Sequence, residues 1–125
     1  PLPGLVQFAE NFEFREEKVL PYLKEALSSF DLNQYGTVVL GCTHFPYFEN
    51  SIKTLFPEEV DVISGSLGTA KNLRRILEAR HQINGGTGDI LFFKSGYKVE
   101  DKETLSNYNK LLGMLDRLSS LTTGA

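Results

Sequence analysis

A short apolar, β-branched run near the first third of the chain places the strongest constraint on its fold. Residues 37–40 read Thr-Val-Val-Leu and lie between two segments of helical pattern. A continuous run of this kind is typical of a strand buried on both faces, as in a parallel sheet. Because parallel strands need a crossover that is usually a helix, the run predicts an α/β unit.

Helical and strand patterns alternate along the rest of the chain. Apolar residues recur at helical spacing in four segments, residues 19–30, 48–56, 70–77 and 105–118. Further strand-like runs occupy residues 60–63 and 90–93. This order predicts a layered α/β fold, with a mostly parallel sheet of three strands and flanking helices.

Three local features refine this prediction. Residues 1–14 show no clear period, so we expect irregular structure with at most one helical turn. Pro21 lies inside the first helical pattern, and because proline cannot donate a backbone hydrogen bond, we expect it in the first turn of that helix. Asp101 precedes the last helical pattern and is expected to be its N-cap.

Composition limits the class of protein. The chain has 125 residues, 41% of them hydrophobic, and a net charge of -3. It is long enough to bury a core, and its charge gives no general attraction to nucleic acid. No apolar run approaches the length of a membrane span, and the single cysteine, Cys42, excludes an internal disulfide. We therefore expect a cytoplasmic protein that has neither nucleic-acid nor membrane partners.

A thiol, a hydroxyl and an imidazole directly follow the strand at residues 37–40, as Cys42, Thr43 and His44. In open parallel sheets, functional groups gather in the loops after the carboxyl ends of the strands. Gly41 leaves room for a ligand to approach the backbone. The start of the next helix is expected to stabilise a thiolate and to hold a carboxylate. Cys42 is thus a candidate acid or base, although a lone cysteine is more often a small buried hydrophobe.

The sequence leaves three other interpretations open. Cys42 and His44 can form a thiol hydrolase pair, in which the imidazole activates the nucleophile. Cys42, His44 and His81 can bind a metal, but no supporting ligand pair is present, so we expect none. The chain can also be a binding module that has the fold of an enzyme and no activity.

The combination of residues 41–46, Gly-Cys-Thr-His-Phe-Pro, resembles the second cysteine motif of glutamate racemases. Residues 3–10, 62–70 and 92–96 are similar to other segments of that family, although Ser64 stands where the family often has aspartate. Aspartate racemases of the same superfamily usually carry glutamate at the position of His44. The resemblance therefore favours the glutamate branch over the aspartate branch.

The resemblance implies cofactor-independent interconversion of L- and D-glutamate for peptidoglycan synthesis, with two cysteines acting on opposite faces of the substrate. In that scheme Cys42 is the second cysteine, His44 assists its proton transfer, and Thr43 and Gly41 contact the substrate. A racemase for another acidic amino acid, such as aspartate, is the alternative within the superfamily.

The first cysteine motif of the family is absent, so the chain resembles the C-terminal part of a racemase with an incomplete two-lobe fold. On the family pattern, residues 1–65 are part of the second lobe and residues 66–125 return to the first lobe. We expect the chain to be inactive alone, and its partners to be the missing N-terminal part and further copies in a homo-oligomer.

Overall fold

The computed structural model describes the backbone of residues 1–122 and the side chains of residues 1–115. The chain divides into two compact units, Pro1–Thr69 and Ala70–Ala125. Leu118, part of the last predicted helical stripe, has its side chain outside the described residues. The assignment of residues 1–65 and 66–125 to different racemase lobes stays a prediction.

The first unit contains three α-helices and two strands, in the order α1 (Pro3–Glu10), α2 (Glu16–Ala26), β1 (Thr37–Leu40), α3 (Glu49–Lys53) and β2 (Asp61–Ser64). Two 3-10 helices, Leu32–Gln34 and Phe45–Phe48, precede β1 and α3. Its core lies between the helices and one face of the sheet. The core residues are Leu5, Ala9, Val19, Leu23, Leu40, Phe48 and Ile52.

The two strands of this unit pair in parallel, as predicted. Thr37 lies opposite Asp61 and Leu40 lies opposite Ser64, so the strands begin and end at the same level. The expected burial on both faces is wrong, because Val39 is 67% exposed while Leu40 is buried. Within the described residues the sheet has two strands and is packed on one face only.

The irregular start expected for the chain is also wrong, because Pro3–Glu10 forms α1. Pro3 lies in the first turn, where a backbone N–H has no partner within the helix. Its missing N–H therefore costs the helix no hydrogen bond. Leu5 and Ala9 lie one turn apart, and both are buried in the core. Packing of these two side chains stabilises a helix that is too short to be stable by itself.

Pro21 does not lie in the first turn of its helix, contrary to the sequence-based expectation. The helix α2 begins at Glu16, which places Pro21 in its second turn and leaves the carbonyl of Glu17 without its usual helical donor. Val19 and Leu23, on the opposite side of the turn, are fully buried. Their burial offsets the cost of the proline. The helix ends at Ala26, so Phe30 lies beyond it and is exposed.

The helix α4 (Ser66–Ala79) begins in the first unit and continues into the second. The second unit also contains β3 (Phe93–Lys94), β4 (Tyr97–Lys98) and α5 (Lys102–Thr122). Along α4, an open groove of about 510 Å³ is lined by apolar side chains such as Leu73 and Ile83 and by the polar side chains of Arg74, Glu78 and Asn84. No helix among residues 1–122 is both long and apolar enough to cross a membrane.

The third parallel strand predicted at residues 90–93 is absent from the described structure. Phe93 begins a short strand that pairs antiparallel with β4 through a turn at Ser95 and Gly96. Both turn residues have positive φ, at 51° and 86°, which is the backbone of a tight hairpin turn. The turn therefore directs the chain into a hairpin. The N-cap prediction is confirmed, because the Asp101 carboxylate accepts a 2.7 Å hydrogen bond from the Thr104 N–H.

Candidate active site

The loop after β1 forms a tight turn that leads directly into the 3-10 helix Phe45–Phe48. The backbone N–H of Phe45 donates to the carbonyl of Cys42 at 3.1 Å, and the N–H of Tyr47 donates to the carbonyl of His44 at 3.3 Å. Pro46 lies in the first turn of the 3-10 helix, where its fixed φ is compatible with helical geometry. The turn therefore follows from the local sequence.

This turn brings the thiol and the imidazole together. The Cys42 Sγ lies 3.8 Å from the His44 Nδ1, and both side chains are half-buried. A thiol and an imidazole at this separation can share and exchange a proton. Gly41 and Thr43 are exposed beside them. The structure therefore places all four predicted site residues on one turn, and it pairs Cys42 with His44.

The expected helix N-terminus is not present beside Cys42. The turn continues into a 3-10 helix of four residues, and α3 has only five residues. The helix predicted over residues 48–56 is thus shorter than expected, and its dipole cannot be the main support of a thiolate. The imidazole of His44 is the observed polar partner of the thiol.

An aromatic cluster supports the turn from the side of the core. The ring of Phe14 stacks on Phe48 and lies tilted on Tyr47, with centroid separations of 5.6 Å in both pairs. Phe48 is 1% exposed, and burial raises the pKa of the Tyr47 phenol. Sequence reasoning missed Phe14, because it lies in a segment without a period and far from the motif along the chain.

The end of β2 lies at the same edge of the sheet as the turn. Ser64 is opposite Leu40 in the parallel register, and its hydroxyl donates to the hydroxyl of Ser66 at 3.3 Å. These hydroxyls therefore begin the loop next to the one that carries Cys42. No group of three His, Cys, Asp or Glu side chains in the described part of the chain is arranged to hold a metal ion.

The chain is thus an α/β protein with a thiol and an imidazole at the carboxyl edge of its parallel β1–β2 pair. Comparisons with known proteins show which proteins of this fold class the chain is similar to. The chain is 59% identical over 115 residues to glutamate racemase 2 of Bacillus subtilis (strain 168), which is 92% of this chain and 43% of that protein. It is 44% identical to the glutamate racemase of Halothermothrix orenii, over 89% of the chain and 44% of the relative.

A glutamate racemase of Campylobacter concisus is 39% identical over 96% of the chain and 46% of that protein. The chain is therefore homologous to the glutamate racemases over nearly its whole length. It spans less than half the length of these curated relatives. No protein-family model and no solved structure matches it.

Proposed function

We propose that this chain is the Cys42-bearing part of a glutamate racemase, an isomerase that interconverts L- and D-glutamate for peptidoglycan synthesis. The observation that carries the proposal is the 3.8 Å contact between the Cys42 Sγ and the His44 Nδ1 on the turn after β1. The curated names of the relatives support glutamate as the substrate.

Inversion at the α-carbon needs two bases, because one proton leaves one face and another arrives on the opposite face. In the proposed reaction the Cys42 thiolate removes or its thiol delivers the proton on one face, and no cofactor takes part. The imidazole of His44 accepts the thiol proton and returns it. Because the sequence contains one cysteine, the base for the other face comes from outside these 125 residues.

The substrate contacts of the proposed site come from the residues beside the thiol. Gly41 and Thr43 are exposed residues on the same turn, and a hydroxyl and a backbone N–H are groups that can donate hydrogen bonds to a carboxylate. Fixed donors of this kind also stabilise the negative charge that develops as the α-proton leaves. We assign Thr43 and Gly41 to substrate binding on this basis.

The proposal extends to the partners of the chain. Residues 1–65 then belong to one racemase lobe and residues 66–125 return to the other lobe, which the N-terminal part of the enzyme completes. The assembled enzyme is expected to be a homo-oligomer, which light scattering of the complete protein tests. The isolated chain is expected to show no racemisation, because it holds only one of the two bases.

A chimera tests the function directly. The segment of the Bacillus subtilis relative that matches this chain is replaced by the chain itself, and D-glutamate formation from L-glutamate is followed by polarimetry. We expect activity with glutamate, little activity with aspartate, and no activity in the matched Cys42→Ala chimera. A folded chimera without activity would favour the binding-module interpretation, and a preference for aspartate would assign the chain to the other branch.

A further inference from the structure

We propose that Phe14 is a positioning residue that sets the separation between the Cys42 thiol and the His44 imidazole. This inference rests on the proposed function only in taking that pair as the reactive one. Phe14 lies on the connection between α1 and α2, far from residues 41–46 along the chain. It acts through the 3-10 helix Phe45–Phe48, which follows the pair directly.

The ring of Phe14 contacts two residues of that 3-10 helix, and it also makes an edge contact with Phe12 at 6.4 Å. Its ring packs at 5.6 Å and 30° on Phe48, and at 5.6 Å and 42° on Tyr47. Phe48 is almost fully buried, whereas Phe14 and Tyr47 are half-buried at the edge of the core. The ring of Phe14 therefore packs against one side of the 3-10 helix.

The connection that carries Phe14 forms hydrogen bonds to α1 and an ion pair across Phe14. The N–H of Glu13 donates to the carbonyl of Phe8 at 2.9 Å, and the N–H of Phe12 donates to the carbonyl of Ala9 at 3.1 Å. The carboxylate of Glu13 forms an ion pair with Arg15 on the other side of Phe14. These interactions restrain the connection on both sides of Phe14, so its ring limits movement of the 3-10 helix towards it.

Movement of the 3-10 helix is transmitted to the reactive pair through the backbone. Phe45 donates to the Cys42 carbonyl and Tyr47 donates to the His44 carbonyl, so both residues of the pair are tied to the helix. The Sγ to Nδ1 separation is 3.8 Å, which is near the upper limit for a hydrogen bond that involves sulfur. A small displacement of the helix is therefore enough to separate the thiol from the imidazole.

The test uses the alkylation of Cys42 by iodoacetamide at neutral pH, which is unambiguous because the chain has one cysteine. We expect Phe14→Leu to slow alkylation about fivefold, the effect of losing one ordinary hydrogen bond to the thiol. Phe8→Leu is the matched control, because Phe8 is also half-buried and its ring pairs with that of Tyr22, at 5.6 Å. Its alkylation rate is expected to equal that of the unchanged chain.

A double-mutant cycle separates positioning from general loss of stability. In the background of His44→Gln, which removes the imidazole, we expect Phe14→Leu to have no further effect. The imidazole NMR signals of His44 should shift in Phe14→Leu, while those of His81 serve as the internal reference. Circular dichroism checks that each variant is folded, and Phe14→Met replaces Phe14→Leu if the latter is not.

An unchanged or faster alkylation rate in Phe14→Leu would overturn the inference, as would an equal slowing in the His44→Gln background or in Phe8→Leu. These measurements use no glutamate. Absence of racemisation in the chimera would therefore refute the proposed function and leave the inferred role of Phe14 intact. A normal alkylation rate in Phe14→Leu would refute that role and leave the proposed function intact.

Discussion

The phenolic oxygen of Tyr22 accepts a hydrogen bond from the backbone N–H of Gly4 at 2.9 Å. This bond joins α2 to the first turn of α1. The N-cap of α1 is Leu2, which has no side-chain oxygen to accept a bond from the first helical N–H groups. Tyr22 therefore supplies from a neighbouring helix the acceptor that the N-cap lacks.

The first prediction concerns the space beside this bond. A Cβ added at Gly4 would lie 2.5 Å from the Cε2 of Tyr22, whose ring is also in edge contact with Phe8. We expect Gly4→Ala to lower the free energy of unfolding by about 1–3 kcal/mol, the usual cost of overpacking. Urea denaturation measures it. Gly85→Ala, where a Cβ meets no atom within 4 Å, is the control, and equal losses in both variants would contradict the argument.

The second prediction concerns the end of α4. His81 has a φ of 55°, and the N–H of Gln82 donates to the carbonyl of Leu77 at 2.9 Å, the pattern of a Schellman C-cap. Because side chains disfavour positive φ, we expect His81→Gly to raise the free energy of unfolding by about 1 kcal/mol. His81→Val should lower it. A lower midpoint of urea denaturation for His81→Gly than for the unchanged chain would show that this conformation is not occupied.

The third prediction concerns acid stability. Hydrogen bonding from the Arg15 guanidinium lowers the pKa of Glu13 from 4.5 to about 2. A carboxyl whose pKa is lowered in the folded state stabilises the fold above its unfolded pKa, and this contribution is lost as the pH falls from about 4.5 to about 2. Glu13→Gln should be less stable than the unchanged chain at neutral pH and equally stable below about pH 2.

Thermal denaturation across this pH range measures the difference between the two proteins. Added salt should reduce the difference, because Arg15 is exposed and its charge is screened. A difference in stability that persists unchanged at pH values below the folded pKa would assign the effect of Glu13→Gln to packing rather than to charge.

The fourth prediction concerns the two-base scheme. In the active chimera, Cys42→Ser should reduce racemisation by about 10²–10⁴-fold, the usual contribution of a positioned acid or base. The base on the other face should still exchange the α-proton of one enantiomer. Proton NMR in deuterated water follows this exchange for L- and D-glutamate separately. Equal residual exchange with both enantiomers would show that Cys42 is a packed thiol and not the base for one face.

Sequence patterns correctly predicted the features that depend on residues close together along the chain. Thr37–Leu40 forms the predicted strand, because a short β-branched run favours few conformations other than a strand. Asp101 caps α5 through a hydrogen bond to a residue three positions away. The pairing of Cys42 with His44 belongs to this group, because one turn determines it. The catalytic roles of these two residues stay a prediction.

Sequence patterns failed where distant contacts decide the outcome. The helix α1 depends on burial of Leu5 and Ala9 against other elements, and Pro21 is tolerated in α2 because Val19 and Leu23 are buried. The contact of Phe14 with Phe48 joins positions that no local period connects. The parallel strand predicted at residues 90–93 is wrong, because an apolar run does not reveal that the turn at Ser95 and Gly96 pairs Phe93 antiparallel with Lys98.

The parallel pairing of β1 with β2 has a consequence for the order in which the chain acquires its structure. Thr37 can pair with Asp61 only after the whole connection between the strands has been synthesised, because a short hairpin turn cannot join parallel strands. During synthesis Cys42 therefore leaves the ribosome well before the strand that fixes the edge on which it lies. Until β2 emerges, the edge of the sheet that carries Cys42 lacks the second strand with which β1 pairs.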